Sequence, residues 1–588
     1  MASKTLLASL APLLLGAAPL AAQLSASELL LSDLVQLSSM GPAGDSAPFG
    51  QEPALAYSAT EDEFLAVWEG VEAAGAPFEI YARRVEADTG FPIGSDVRVS
   101  QLQLAGQSRR PAVAYCPTND RYLVVWSGFE ELVPGGFPDE EIWGQFVSGS
   151  TGALVGSNFR ISSMGATDGI DVGNAEAPDV VYNADTQEFL VVWTGYDDGH
   201  GLIALDQEVF GQRLDIWGQE IGLDDFRIGF NGADPVQGGY AQDACLAWNS
   251  EWQTYLVSWF SSGGIGLPFG VYAQLLEADT DPIGGNITVT DAFDSCVQPD
   301  VVANPDRGEF LVTWIGDLAD VRQVYARRVD ATSGSLLGTG ETQVSQVTYT
   351  GNQDGAEFPR TTYCAARGLY LVSFHTDEDP SFGFTENVYG QWLDGLSAEE
   401  RGEDDFPITQ VGPIGNSAYR ALDAVPAVRG ETGEVLIVCS AGTQVAPLVE
   451  GEIEMHSLRL LAPTHSQEIV RLGTPPNPNA LRPGLTSGPV AGLNWDPYVD
   501  HSSFLPQAQI DILGLHVQAA EMPSPLGTFL AVLAPNSIYM TAPAGMRFFS
   551  PIPANLNLVG LQMVAQVASI DATQVELTNA LDIVIGTY

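Results

Sequence analysis

A short apolar strand ending in tryptophan recurs along this chain, and it constrains the fold more than any other feature. It reads FLAVW at 64–68, YLVVW at 122–126, FLVVW at 189–193, YLVSW at 255–259 and FLVTW at 310–314. Weaker copies, YLVSF at 370–374 and VLIVC at 435–439, continue the series. The anchors Trp68, Trp126, Trp193, Trp259, Trp314, Phe374 and Cys439 imply seven units of about 62 residues. Each strand is apolar on both faces, so it must be covered on both sides.

The rest of each unit is equally regular. A Pro-led strand precedes the tryptophan strand: PALAY (53–57), PAVAY (111–115), PDVVY (178–182), PDVVA (299–303). A third strand pairs an aromatic with a small residue, as in IYARRV (80–85), VFGQRL (209–214) and VYGQWL (388–393). A fourth ends in Ser or Thr, as in VRVS (97–100), FRIS (159–162), ITVT (287–290) and FPIT (406–409). Four short strands per unit, with no helical period, exclude a parallel α/β sheet. Four-stranded blades packed around an axis satisfy the pattern, which predicts an all-β, seven-bladed β-propeller over 23–462. The last unit, EIEMHSLRL (452–460), lacks a fourth strand, and LVQLSS (34–39) has the shape of one. The N-terminal strand is therefore expected to close blade seven. The repeat resembles a broad class of secreted bacterial propeller proteins, a class without one activity, so the resemblance implies fold more than function.

Past Leu461 the texture changes. TPPNPNALRPG (474–484) has the composition of a domain boundary. The runs IDILGLHV (510–517), GTFLAVLA (527–534), LVGLQMVAQVAS (558–569) and ALDIVIG (580–586) predict a compact antiparallel β-sandwich over 463–588. FFSPIPANLNLVGLQMVAQ and LTNALDIVIG resemble a module that recurs at the ends of large secreted bacterial proteins, which implies sorting or surface attachment.

Lys4, the apolar stretch to Leu15 and the small residues through Ala22 read as a secretory signal over 1–22, predicting a secreted or cell-surface protein. No later segment is apolar for long enough to span a bilayer. With 23 basic against 74 acidic residues the net charge is −51, and Lys4 is the single lysine. Such a surface repels phosphate backbones, which excludes nucleic acid as a partner. The carboxylate excess suits Ca²⁺, the one cofactor considered. Five cysteines leave at least one unpaired within a monomer. In an oxidising compartment a Cys245–Cys296 disulfide is expected, because both lie at the first strands of neighbouring blades.

Catalytic signatures are missing: no G-x-S-x-G, no H-E-x-x-H, no Gly-Lys phosphate loop. Asp179 and Asp300 open the innermost strands of blades three and five. They read as a charged channel rim or, alternatively, as the paired carboxylates of a glycan hydrolase or lyase. The loops 128–141, 195–208 and 375–387 leave the same end of their blades and crowd one face. Phe129, Tyr196 and Phe382, with Asp197, Asp198 and Asp377, supply aromatic faces and carboxylates of the kind that hold sugars. Asp197, Asp198, Asp377, Glu378 and Asp379 are the expected Ca²⁺ ligands. The reading that follows is a non-enzymatic protein presenting this face to a glycan or an extracellular protein.

Overall fold

The strand Glu188–Tyr196 pairs antiparallel with Asn174–Asn183 on one side and Glu208–Asp215 on the other, and the latter pairs with Glu220–Arg227. In this computed structural model the same four-stranded meander is built by Phe49–Arg98, Ser108–Arg160, Ala241–Thr288, Ser295–Gln343 and Glu357–Pro407. Residues 29–587 are described, except 42–48, 102–106, 130–139, 165–173, 197–206, 230–239, 262–268, 291–294, 319–320, 347–354, 378–385, 412–418, 431, 443–452, 486–487 and 535–536. The signal segment expected over 1–22 lies outside the described residues. The chain divides into two compact units, Leu30–Ala462 and Pro463–Tyr588.

The seventh meander takes three strands from Ala421–Val428, Glu434–Ala441 and Glu454–Leu461, and its fourth from Val35–Gln36, with Val35 opposite Ser457. One hydrogen bond shows why 34–39 fits there. In five blades a hydroxyl at the end of the fourth strand accepts a third-strand N–H: Ser100 from Ile80 (2.8 Å), Ser162 from Ile142 (2.7 Å), Thr290 from Val271 (3.2 Å), Ser345 from Val324 (2.8 Å) and Thr409 from Val388 (2.9 Å). Ser38 accepts from Met455 at 2.7 Å in the same way. The innermost strands touch in an unbroken circle, from blade one through blade seven and back to one. The unit is a β-propeller. The five tryptophans of the repeated strand are wholly buried between blades.

In the C-terminal unit Gln467–Arg471, Val575–Val584, Gln562–Ile570, Ile510–His516 and Ile538–Pro543 form one antiparallel sheet in that order. Alternate residues serve its two faces, as the two-residue period demands. Leu513, Leu515, Ala565, Val567, Leu581 and Ile583 pack with Trp495, Phe504 and Phe548. Val564 and Ala580 pack on the other face against Leu530 and Ala531. In place of the expected sandwich of two sheets, two-stranded ribbons cover this single sheet. One of these ribbons, Ala519–Ser524 with Gly527–Ala531, turns at Leu526 and Gly527 (φ 115°).

Candidate functional site: a channel mouth built from seven bulges

Every innermost strand breaks register at the same place. The shifts fall between Gln51 and Ala54, Arg109 and Ala112, Glu176 and Asp179, Gln242 and Cys245, Val297 and Asp300, Glu357 and Arg360, and Leu422 and Val425. Two residues there oppose one on the partner strand, a β-bulge that re-aims side chains. The first residue of each bulge is left-handed, with φ between 49° and 53°: Glu52, Arg110, Ala177, Asp243, Gln298, Phe358 and Asp423. None is glycine, so each carries roughly 1–2 kcal/mol of backbone strain. In five blades the next residue is proline (Pro53, Pro111, Pro178, Pro299, Pro359), which has no N–H to leave unpaired in the bulge. That is the physical meaning of the Pro-led strand.

The bulges line an axial cavity of ≈ 380 Å³. Glu52, Asp243 and Asp423 stand in its wall with Arg110; two residues further along their strands stand Asp179, Cys245, Asp300 and Arg360. Arg110 Nη1 reaches Asp243 Oδ1, two blades away, at 3.4 Å. Burial, then the charges of Glu69 and Asp423, push the Glu52 carboxyl up to about 7 against the opposing pull of Arg110 and Arg360.

The structure accounts for Asp179 and Asp300 differently from the catalytic alternative. Asp179 Oδ2 accepts the N–H of Leu246 in the next blade at 2.9 Å, and its Oδ1 accepts from Val180 at 2.8 Å. Asp300 Oδ2 accepts the N–H of Thr361, again one blade on, at 2.6 Å. Glu69 with Arg110 N–H (2.9 Å) and Gln298 with Phe358 N–H (3.0 Å) act alike. At the bulge (Arg110, Phe358) or just beyond it (Leu246, Thr361) the innermost strand has an edge N–H to satisfy, and the preceding blade supplies its acceptor. Burial still dominates both aspartates: Asp179 is pushed up to about 6 and Asp300 is also raised.

Of the loop candidates, Phe129 ends its strand opposite Glu140, Tyr196 opposite Asn174, and Asp377 opposite Glu386. Asp197, Asp198, Glu378, Asp379 and Phe382 lie outside the described residues. Among the described residues no three His, Cys, Asp or Glu side chains gather as a metal site. Sequence reasoning missed one neighbourhood, where a parallel bridge from Asn174 to Glu140 joins blades two and three. Burial and then Glu176 push the Glu140 carboxyl up to about 7, opposed by Ser127, Arg110 and Arg109. Asn174 donates to Glu176 at 2.9 Å, and burial, Glu176 and Tyr240 raise the Tyr196 hydroxyl. The Arg109 guanidinium lies 4.1 Å over the Phe78 ring. The bridge itself recurs, as Gln207 with Tyr240 and Ile453 with Phe49, but Gln207 with Gln242 and Ile453 with Gln51 stand there in place of Glu140 and Glu176, so no periodicity announces the carboxylate pair.

The expected Cys245–Cys296 bond is not formed: all five cysteines are free and buried. Counted from the bulge, Cys245 occupies the place that Asp300 holds in the next blade, whereas Cys296 matches Ala241. Four residues of extended strand are about 13 Å, and a disulfide needs its Cα atoms within about 7 Å. The Cys245 thiol instead donates to Ser258 O at 3.6 Å.

No protein-family model and no curated protein matches the sequence. Among solved structures the chain is similar to an α-L-arabinanase of Penicillium chrysogenum complexed with arabinobiose (TM-score 0.39, 10% identity, 73% of this chain and 98% of that one). It is similar also to a microbial sialidase (TM-score 0.39, 10% identity, 57% and 64%). A third is the propeller domain of a trilobed protease from Pyrococcus furiosus (TM-score 0.36, 10% identity, 70% and 93%). The propeller assignment rests on the sheet order of the chain itself. No helix among the described residues is long and apolar enough to cross a membrane.

Proposed function

We propose that this chain is a secreted or cell-surface binding propeller whose channel mouth takes a hydroxyl-rich or cationic group presented by a glycan or an extracellular protein. The observation that carries this reading is the engagement of Asp179 and Asp300 by backbone donors of the next blade. The carboxylate pair that hydrolysis would need is employed in holding blades together. Glu52, Asp243 and Asp423 face the cavity beside Arg110 and Phe358, a set suited to fixing hydroxyls or an ammonium against an aromatic edge. The propeller's 65 acidic and 19 basic residues disfavour any polyanion. Ca²⁺ at Asp197, Asp198, Asp377, Glu378 and Asp379 belongs to the same proposal, and a melting temperature raised by millimolar Ca²⁺ is its measurement.

A glycan array followed by a turnover screen on the same saccharides tests the reading. Asp243→Arg, which removes an acceptor and adds a like charge to the cavity wall, is expected to weaken binding at least about tenfold with no sugar released by the parent chain. A hydrolase reading has one observation in its favour, the Glu140 carboxyl pushed up to about 7 by burial and by the charge of Glu176, the direction a general acid requires. Turnover abolished by Glu140→Gln, or by Asp179→Asn or Asp300→Asn, would overturn the binding reading.

A further inference from the structure

The sheet edges of the two units are treated in opposite ways. In six blades the outermost strand carries a left-handed glycine where its ladder breaks: Gly94, Gly156, Gly222, Gly284, Gly338 and Gly402, with φ between 73° and 88°. Most also carry charge, as in PIGSDVR (92–98) and ERGEDDFP (400–407). The seventh outer strand is only two residues long. Bulges, charge and shortness are the devices that stop edge strands from pairing with strangers.

The C-terminal sheet guards one edge and leaves the other open. Along Gln467–Arg471, Glu468 takes the N–H of Gly484 at 3.0 Å and the Trp495 indole at 2.7 Å, and Arg471 pairs with Asp582 at 2.7 Å. The opposite edge, Ile538–Pro543 (IYMTAP), has no charge, no glycine and no register shift against Ile510–Leu515. Its single proline is the last residue. Ile538 is 48% and Tyr539 41% exposed, with Ile510 (46%) and Met546 (60%) also exposed. Among the described residues the strand pairs on one side alone.

We propose that Ile538–Pro543 is a strand-pairing site, and that its occupant is the same strand of a second copy of this chain, antiparallel about a two-fold axis. The strand is self-complementary. An axis at Met540 sets Tyr539 opposite Thr541 on one face and Ile538 opposite Ala542 on the other, an aromatic–β-branched and an aliphatic pair with no charge against charge. The C-terminal unit holds eight acidic and three basic residues, so two chains meet with least repulsion through it. Such an interface is isologous and closes at the dimer. It adds one sheet to another through main-chain hydrogen bonds, the mode of β-augmentation.

Sedimentation velocity on the full chain over a concentration series tests this. A monomer–dimer equilibrium is expected, with amides of 538–543 exchanging more slowly as the dimer forms. Tyr539→Lys and Thr541→Lys, both at exposed positions, are each expected to raise the dimer Kd at least about a hundredfold while the melting temperature of the monomer holds. A chain that stays monomeric throughout overturns the proposal, including one that only takes up a foreign extended peptide. So does a dimer indifferent to both lysines.

Discussion

The propeller and the C-terminal unit have opposite surfaces. The propeller carries a net charge of −46 on Leu30–Ala462, and seven of the large hydrophobic residues exposed among the described positions lie there. The C-terminal unit is less than a third as long and carries −5, yet thirteen lie on it, among them Ile469, Leu485, Met522 and Phe549. Exposed apolar surface at that density marks interaction surface. The propeller presents charge over its surface, and the C-terminal unit presents apolar side chains.

The comparison breaks first under a core substitution. Trp193→Ala empties a wholly buried site between blades and is expected to destabilise the propeller by about 3–5 kcal/mol. Calorimetry should then show one transition lowered and the C-terminal transition unmoved. A single transition that shifts as a whole would mean that the two units unfold as one. Next in size is Ser38→Ala, which orphans the Met455 N–H and takes one donor from the Glu454 carboxylate, leaving it the Met40 N–H. A loss of about 1–3 kcal/mol is expected, comparable to Ser100→Ala in blade one; a silent Ser38→Ala would show that blade seven does not depend on its N-terminal strand.

Acidity sharpens the contrast in the propeller's favour. Glu52, Glu140 and Asp179 hold their protons more tightly folded than unfolded. Each therefore supports the fold while protonated, and withdraws that support as pH climbs from the ordinary carboxyl range to about 6 for Asp179 and about 7 for the glutamates. Paired carboxylates such as Glu357 pull the other way at lower pH, and buried His456, held down to about 4, pulls the other way as far as the ordinary imidazole range. The propeller's melting temperature should fall between about pH 5 and about pH 7, and Asp179→Asn should flatten the slope. In the C-terminal unit Glu468 is the carboxyl raised in this way, so its transition should move less. The smallest expected effect is that of added salt, worth less than about 1 kcal/mol, which screens the propeller's self-repulsion and raises its transition alone. Equal salt responses would remove charge as the basis of the comparison.

Much of this was legible in the residues. FLVVW can only be a strand covered on both faces, and repetition of that strand leaves little besides a propeller. LVQLSS announced the closing strand because Ser38 has the chemistry of Ser100 and Ser162. The bulges were illegible because Glu52, Arg110, Ala177, Asp243, Gln298, Phe358 and Asp423 share a backbone angle and no side-chain chemistry. The proline that follows five of them was visible, but not its role. Asp179 and Asp300 looked like free carboxylates because their partners are backbone N–H groups, which carry no sequence signature. The disulfide expectation placed Cys245 and Cys296 in adjacent strands and lacked the register that separates them.

The clasp of blade seven has a mechanical consequence. Leu30 bridges Leu460, and Leu31 donates to Arg459 O at 2.7 Å, so the two ends of the propeller leave side by side from one blade. Tension applied between those ends would load the pairing of Val35 and Gln36 with Ser457 and His456 one bond at a time, like a zipper. Tension that enters through Ala462 alone, with the other end slack, bypasses the clasp entirely. A disc held by one end in moving water keeps its ring shut; the same disc stretched between two anchors opens at its seam.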